Sequence, residues 1–264
     1  MSNLLYVDLS SLGLWDERFR NLLEGAAAEG TRVTVRHLEG AEGPVGPYLP
    51  DRPESYYAPL LREVGSAQQE GYDAVMLGCA SEPGLRDAAN ASRIPVIGPF
   101  GAALHMAGLL GRRLGVLCPS ELGRRSRPLS WHEQTIRLYG MAESRVSFRL
   151  VDIRRPEPSF VEECMRSQAL DELRRVIVER YRESIEGCGV EQARRAVEED
   201  RAEVLFFACT LWSGLLGPVG EAVDVPVLDA AVTLLKTTEA AVAAAQSARP
   251  AQRGASAKKG GIRR

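Results

Sequence analysis

Twice in this chain a short apolar run ends on a cysteine, passes a Gly-Leu pair, and returns about ten residues later as a second apolar run built around a proline. The first copy is Ala74–Cys79, Gly84-Leu85 and Ile94-Pro95-Val96-Ile97. The second is Val204–Cys209, Gly214-Leu215 and Val225-Pro226-Val227-Leu228. Each copy then enters an alanine-rich stretch of helical length. Apolar runs this short, without polar alternation, read as strands buried on both faces, as in a parallel sheet. The ordered match points to two copies of one unit related by a pseudo-twofold axis.

The surrounding chain fits that plan. Leu4–Leu9 and Arg32–Leu38 read as strands, joined by a helix that starts near Trp15 and stops by Gly30. A helix from about Glu54 to Gln69 precedes the first cysteine strand. In the second series Leu114–Cys118 and Arg145–Ile153 read as strands. Leu129–Tyr139 is helical, Phe160–Glu186 is an amphipathic helix, and another helix starts at Gly189. Strands alternating with helices mean an α/β fold. The expected architecture is two pseudo-twofold-related halves, each a roughly four-stranded parallel sheet flanked by helices, with the active site in the cleft between them. Residues 1–110 plus 226–245 form the first half, the C-terminal helix packing back on it. Residues 111–225 form the second. Residues 246–264, rich in Gly, Ala, Ser, Lys and Arg, read as a disordered tail.

Charge narrows the function. Lys+Arg number 33 and Asp+Glu 35, a net charge of -2, which argues against nucleic-acid binding by bulk charge. No apolar run approaches the roughly 18 residues of a membrane span. The N-terminus lacks the basic and apolar regions of a secretion signal. Five cysteines, an odd number with no CxxC pair, suit reduced thiols in a cytoplasm. The three histidines are scattered, so no metal site is expected. The glycines around His105 follow no GxGxxG spacing, so no nucleotide cofactor is expected either. The partner implied is a small-molecule substrate; a homo-oligomer is left open.

Cys79 and Cys209 each end a buried parallel strand, and α/β sheets bind ligands beyond those ends. Helices expected to begin near Pro83 and Ser213 would lower each thiol's pKa through free N–H groups and the helix dipole. Two facing thiols suit proton transfer at carbon. One removes a proton from one face, the other delivers a proton to the opposite face, and the carbon is inverted. The alternative for either cysteine alone is a small buried hydrophobe. Cys118 suits a buried or binding-loop role, and Cys164 and Cys188 lie in charged helical surroundings. His132, in the Leu129–Tyr139 helix, reads as part of a solvated face.

Gly78-Cys79, Glu82-Pro83-Gly84-Leu85 and Pro95-Val96-Ile97-Gly98, with Cys209 at the end of a later strand, resemble the Asp/Glu/hydantoin racemase superfamily. The closest likeness is to its hydantoin/allantoin racemase branch, and it covers most of Leu4–Ala245. The resemblance implies a cofactor-independent racemase or epimerase with Cys79 and Cys209 as the catalytic pair. On the same fold, arylmalonate-type decarboxylation and maleate-type cis–trans isomerisation are alternatives, and a non-catalytic small-molecule binder is an alternative of another class. Where the family has an Asn-Pro-Asn-like loop, this chain has Val7-Asp8-Leu9-Ser10-Ser11. Glu82 stands for the family's Asp, and Thr210-Leu211-Trp212-Ser213 replaces small residues.

Ser10, Ser11, Ser120 and Thr210 lie just past strand ends and are candidates to bind a substrate carbonyl or carboxylate, or to cap turns. Ala80 and Ser81 follow Cys79 into the same region. Trp212 is a candidate pocket wall or, equally, packing between the halves. No Arg or Lys stands in the cysteine loops, which favours a neutral ring carbonyl or a single carboxylate over a dicarboxylate.

Overall fold

The computed structural model describes residues 1–10, 12–39, 53–111, 113–120 and 130–248. The first half runs β1 (Ser2–Asp8), α1 (Asp16–Ala26), β2 (Thr31–His37), α2 (Pro53–Ala67), β3 (Ala74–Leu77), α3 (Leu85–Ala91), β4 (Val96–Ile97) and α4 (Pro99–Leu110). The second runs β5 (Leu114–Pro119), α5 (Ser130–Leu138), β6 (Val146–Val151), α6 (Pro158–Arg166), α7 (Leu170–Ser184) and α8 (Val190–Glu198). It continues through β7 (Val204–Phe207), α9 (Gly217–Ala222), β8 (Val227–Asp229) and α10 (Ala230–Ala248). The chain is therefore α/β, with two four-stranded parallel sheets ordered β2-β1-β3-β4 and β6-β5-β7-β8.

The repeat extends to strand register. Leu4 pairs with Ala74 as Leu114 pairs with Val204. Val75 pairs with Val96 as Leu205 pairs with Val227. Offsets of 110 residues for the first strand and 130 for the third thus superpose the halves. All residues of β3 and β7 are buried because helices cover both faces of each sheet.

The helices exchange sheets. Phe100, Ala103, Leu104 and Ala107 of α4 pack with Val116, Val204 and Phe206 of the second sheet. Leu234, Leu235 and Val242 of α10 join the core that holds Leu4, Tyr6, Phe19 and Met76 of the first. The two alanine-rich helices also pack on each other. Each half thus supplies the last cover of the other's core, and each large apolar side chain buried there contributes about 1.5–3 kcal/mol. The same core continues into Leu205, Phe207 and Trp212, so the halves share one interior.

Four details differ from the sequence reading. A boundary at 225/226 would cut β8 from its sheet, because Val227 pairs with Leu205; the crossing falls at Asp229-Ala230. The charged stretch from Phe160 is broken at Gln168, whose φ of 59° is left-handed. At Gly187 and Gly189, where the sequence suggested a break, a wider π-type turn (Ile185–Gly189) carries the helix from α7 into α8. Finally, α10 runs to Ala248, three residues into the segment read as tail, and 249–264 lie outside the described residues.

Gly84 and Gly214, equivalent in the repeat, adopt φ values of 73° and 79°. A Cβ costs about 1–2 kcal/mol in that region. Gly84→Ala and Gly214→Ala should each lower urea stability by that amount. Gly65→Ala, in α2 where a Cβ would meet nothing within 4 Å, should be neutral or stabilising by about 0.5–1 kcal/mol. Equal effects at all three positions would contradict the left-handed requirement at the two turns, and a loss at only one of Gly84 and Gly214 would contradict their equivalence.

Candidate active site

The two cysteine loops are built alike. Beyond β3, the Gly78 N–H donates to the Val7 carbonyl at 2.8 Å and the Cys79 N–H to Leu77 at 2.9 Å. Beyond β7, the Ala208 N–H donates to Leu117 at 2.8 Å and the Cys209 N–H to Phe207 at 2.9 Å. The Cys79 carbonyl then accepts from Glu82 N–H, and the Cys209 carbonyl from Trp212 N–H. Gly78 is required: a Cβ there would lie 2.7 Å from the Val7 carbonyl oxygen and 2.8 Å from the Tyr6 ring. Without it the loop lies flat on Tyr6.

A hydrogen bond joins the loops directly. Thr210 Oγ1 donates to the Gly78 carbonyl at 2.9 Å, across 132 residues of chain. The neighbours in sequence of the two cysteines therefore touch, and the Cys79 thiol senses the charge of Cys209. Both Cys79 and Cys209 are half-buried, whereas Cys118 is fully buried at the end of β5.

Burial decides the thiols' protonation. It pushes Cys79 up to about 12, with Ser81 N–H and hydroxyl bonds opposing and the charges of Cys209 and Asp8 adding. It pushes Cys209 up to about 11, opposed by the N–H groups of Leu211 and Trp212 and by the charges of Arg155 and Arg18. The expected lowering by helix termini is thus overturned. α3 begins only at Leu85, and Cys209 is followed by a single 3-10 turn, Thr210–Trp212, so no long helix points its dipole at either sulfur.

The remaining candidates divide. Ser81 and Thr210 stand with the cysteines. Ser10 is buried, and its hydroxyl and N–H donate to the Asp8 carboxylate, whose pKa burial raises to about 6. The Ser120 hydroxyl donates to Asp152 at 2.9 Å. Ala80 packs into the core beneath α4. Trp212 is fully buried, 6.0 Å from the Phe207 ring, in the core shared by the halves, which is the packing alternative and not a pocket wall. Ser11 lies outside the described residues. His132 is no solvated residue: it is buried between Phe100, at 4.6 Å, and Phe148, at 5.8 Å. Among the described residues, no group of three or more His, Cys, Asp or Glu could hold a metal ion.

Two residues escaped the sequence reading. Arg18, in the first turn of α1, donates from Nη2 to the Ser213 carbonyl of the Cys209 loop. A helix that follows β1 starts at the carboxyl end of the sheet, so its first turn faces the cleft; that topological rule was the available signal. Glu82, read only as a departure from a motif, holds the Cys79 loop to α4. Its Oε1 accepts the Gly101 N–H at 2.8 Å, and a Cβ on Gly98 would strike it at 2.2 Å. Glu82 itself has a left-handed φ of 51°, a strain its carboxylate contacts hold in place.

Known proteins agree with this architecture. A family model described as Asp/Glu/Hydantoin racemase matches residues 17–245. A hydantoin racemase of Pseudomonas sp. (strain NS671) is 27% identical over 195 residues, spanning 72% of this chain and 68% of that protein. The structure of an allantoin racemase from Klebsiella pneumoniae has a TM-score of 0.67 at 20% identity, covering 93% of this chain and 89% of that one. Unliganded arylmalonate decarboxylase shares the fold with a TM-score of 0.53 at 14% identity, covering 92% and 93%.

Burial raises the Glu82 carboxyl from 4.5 to about 7, opposed by the Gly101 and Phe100 N–H groups. A raised carboxyl binds its proton more tightly folded than unfolded, so its contribution to stability is full below about pH 4.5 and is lost as pH rises through 7. Glu82→Gln removes that slope. Between pH 4.5 and 8, wild type should lose up to about 3 kcal/mol relative to E82Q in urea unfolding. A gap that does not change with pH would contradict this assignment.

Proposed function

Because the chain belongs to the Asp/Glu/hydantoin racemase family, we propose that it inverts a carbon acid using Cys79 and Cys209 as its two acid–base groups. The Thr210–Gly78 hydrogen bond carries this reading, since it ties the two half-buried thiols to one site. One sulfur, as thiolate, takes the proton from a carbon beside a carbonyl. The electron pair moves onto that carbonyl as an enolate. The other sulfur, as thiol, returns a proton to the opposite face and is left as thiolate, so the roles are exchanged for the reverse reaction. Proton transfer of this kind calls for no redox or group-transfer cofactor.

Substrate binding follows from the same groups. Backbone N–H groups of the loops and the Ser81 hydroxyl face the sulfurs and are suited to hold the substrate's carbonyl. Arg18 adds one positive charge that sequence reasoning did not supply. Arg155 bears on the Cys209 sulfur as well, and Arg18, hydrogen-bonded to the Cys209 loop, suits one developing negative charge, as in an enolate, a ring imide or one carboxylate. A dicarboxylate would leave a charge uncompensated. We therefore assign a hydantoin-like or related small carbonyl or monocarboxylate substrate. Five free cysteines among the described residues suit work in a reducing cytoplasm. A single proton-donating thiol would serve decarboxylation, so the equivalence of the two loops favours inversion.

Cys79→Ser and Cys209→Ser test the pair, because a hydroxyl is a far weaker acid than a thiol. Each should lower racemisation of a single-enantiomer hydantoin, followed by polarimetry, by about 10²–10⁴-fold while leaving the fold's circular dichroism intact. Full turnover by either variant would remove that cysteine from the mechanism. Competition among cyclic ureides, monocarboxylates and dicarboxylates should rank dicarboxylates last.

A further inference from the structure

The repeat makes the two thiols equivalent in backbone but not in surroundings. By the 110-residue offset, the end of β1 places Asp8 where the end of β5 places Cys118. Asp8 acts on Cys79 with negative charge, whereas Cys118 is a neutral buried thiol near Cys209. Arg18 breaks the symmetry further. Its guanidinium crosses from α1 of the first half to the Ser213 carbonyl of the Cys209 loop. Its other terminal nitrogen, Nη1, is buried and makes no hydrogen bond. Among the described residues no carboxylate lies within 4 Å of it; the nearby Asp229 is engaged by the N–H groups of Gly214, Ala231 and Val232. A guanidinium without a paired carboxylate projects its charge onto whatever polarisable group stands closest.

We propose that Arg18 is a positioning residue that makes Cys209 the more readily ionised of the two sulfurs, so that Cys209 acts first as the base and Cys79 as the thiol. This rests on the two-cysteine reading and assigns the roles within it. The groups that face Cys209 are Arg18 from α1, Arg155 from the segment after β6, Cys118 from β5 and Cys79 from the opposite loop. Those that face Cys79 are Asp8 and Tyr6 of β1, Ser81 and Cys209. The charges on the Cys209 side are cationic, and the one on the Cys79 side is anionic. Thiol values of about 11 for Cys209 and about 12 for Cys79 run in the same direction. The enantiomer that presents its proton to Cys209 meets the sulfur that ionises more readily. The other enantiomer needs Cys79, the sulfur that ionises less readily, as its base.

Alkylation by iodoacetamide without substrate reads this directly, because the thiolate is the reactive form and both sulfurs are similarly half-buried. Rates at Cys79 and Cys209 are followed by peptide mass spectrometry from pH 7 to 10 in wild type, Arg18→Gln and Arg18→Lys. Cys209 should label about tenfold faster than Cys79 in wild type. Arg18→Gln keeps a donor for Ser213 but no charge, and should reduce the preference, leaving the part that Arg155 and Asp8 supply, and move the Cys209 profile to higher pH. Arg18→Lys should restore it. Faster labelling of Cys79, an unchanged preference in R18Q, or a lysine variant that behaves like R18Q would overturn the proposal. Labelling does not depend on turnover, so the preference stands or falls separately from the Cys→Ser activity test.

Discussion

The hydroxyl of Thr210 donating to the carbonyl of Gly78 is the joint on which the site depends. Each half is a complete four-stranded sheet, and neither builds a cleft alone. The bond works because Gly78, with no side chain, lets its loop lie against Val7 and Tyr6 and because Thr210 follows Cys209 within one tight 3-10 turn. The exchange of α4 and α10 between the sheets supports it from below, since separating the halves would expose both alanine-rich helices and the shared core around Tyr6, Phe207 and Trp212. A site formed between two covalently linked repeats is held by packing on a scale that one loop hydrogen bond, worth about 1 kcal/mol, could not supply.

That rigidity has a chemical consequence. The same enclosure that holds the two cysteine loops together also makes their thiolates costly, and burial outweighs the loop N–H groups at both. The fold offsets this on one side with a guanidinium and leaves a carboxyl group on the other. Symmetric backbone thus carries asymmetric electrostatics, which is what the proposed division into one base and one acid calls for.

The sequence made the strands legible because β3 and β7 are buried on both faces, and an unbroken apolar run has no other reading at that length. The cysteine pair was legible through the repeat. Other features were not. Trp212 offers an indole that serves a pocket or a core equally well, and only its position against Phe207 decides. Gly187 and Gly189 looked like a break, but a wide turn absorbs them, while the true break sits at Gln168 without a glycine. Arg18 carried no signal of its own in the sequence, because its reach to the Cys209 loop depends on how the two halves close. Glu82 was visible only as a departure from a motif, and its longer side chain is what reaches the start of α4.

The central claim is that one sulfur from each repeat serves one face of one carbon. It is tested most directly by following a single enantiomer of a hydantoin in deuterium oxide through the first few per cent of conversion. Two thiols on opposite faces predict that the inverted product carries deuterium at the stereocentre while the remaining substrate keeps its protium. Washout of protium from the remaining substrate as fast as product forms would mean that a single base works from one face, and would contradict the account.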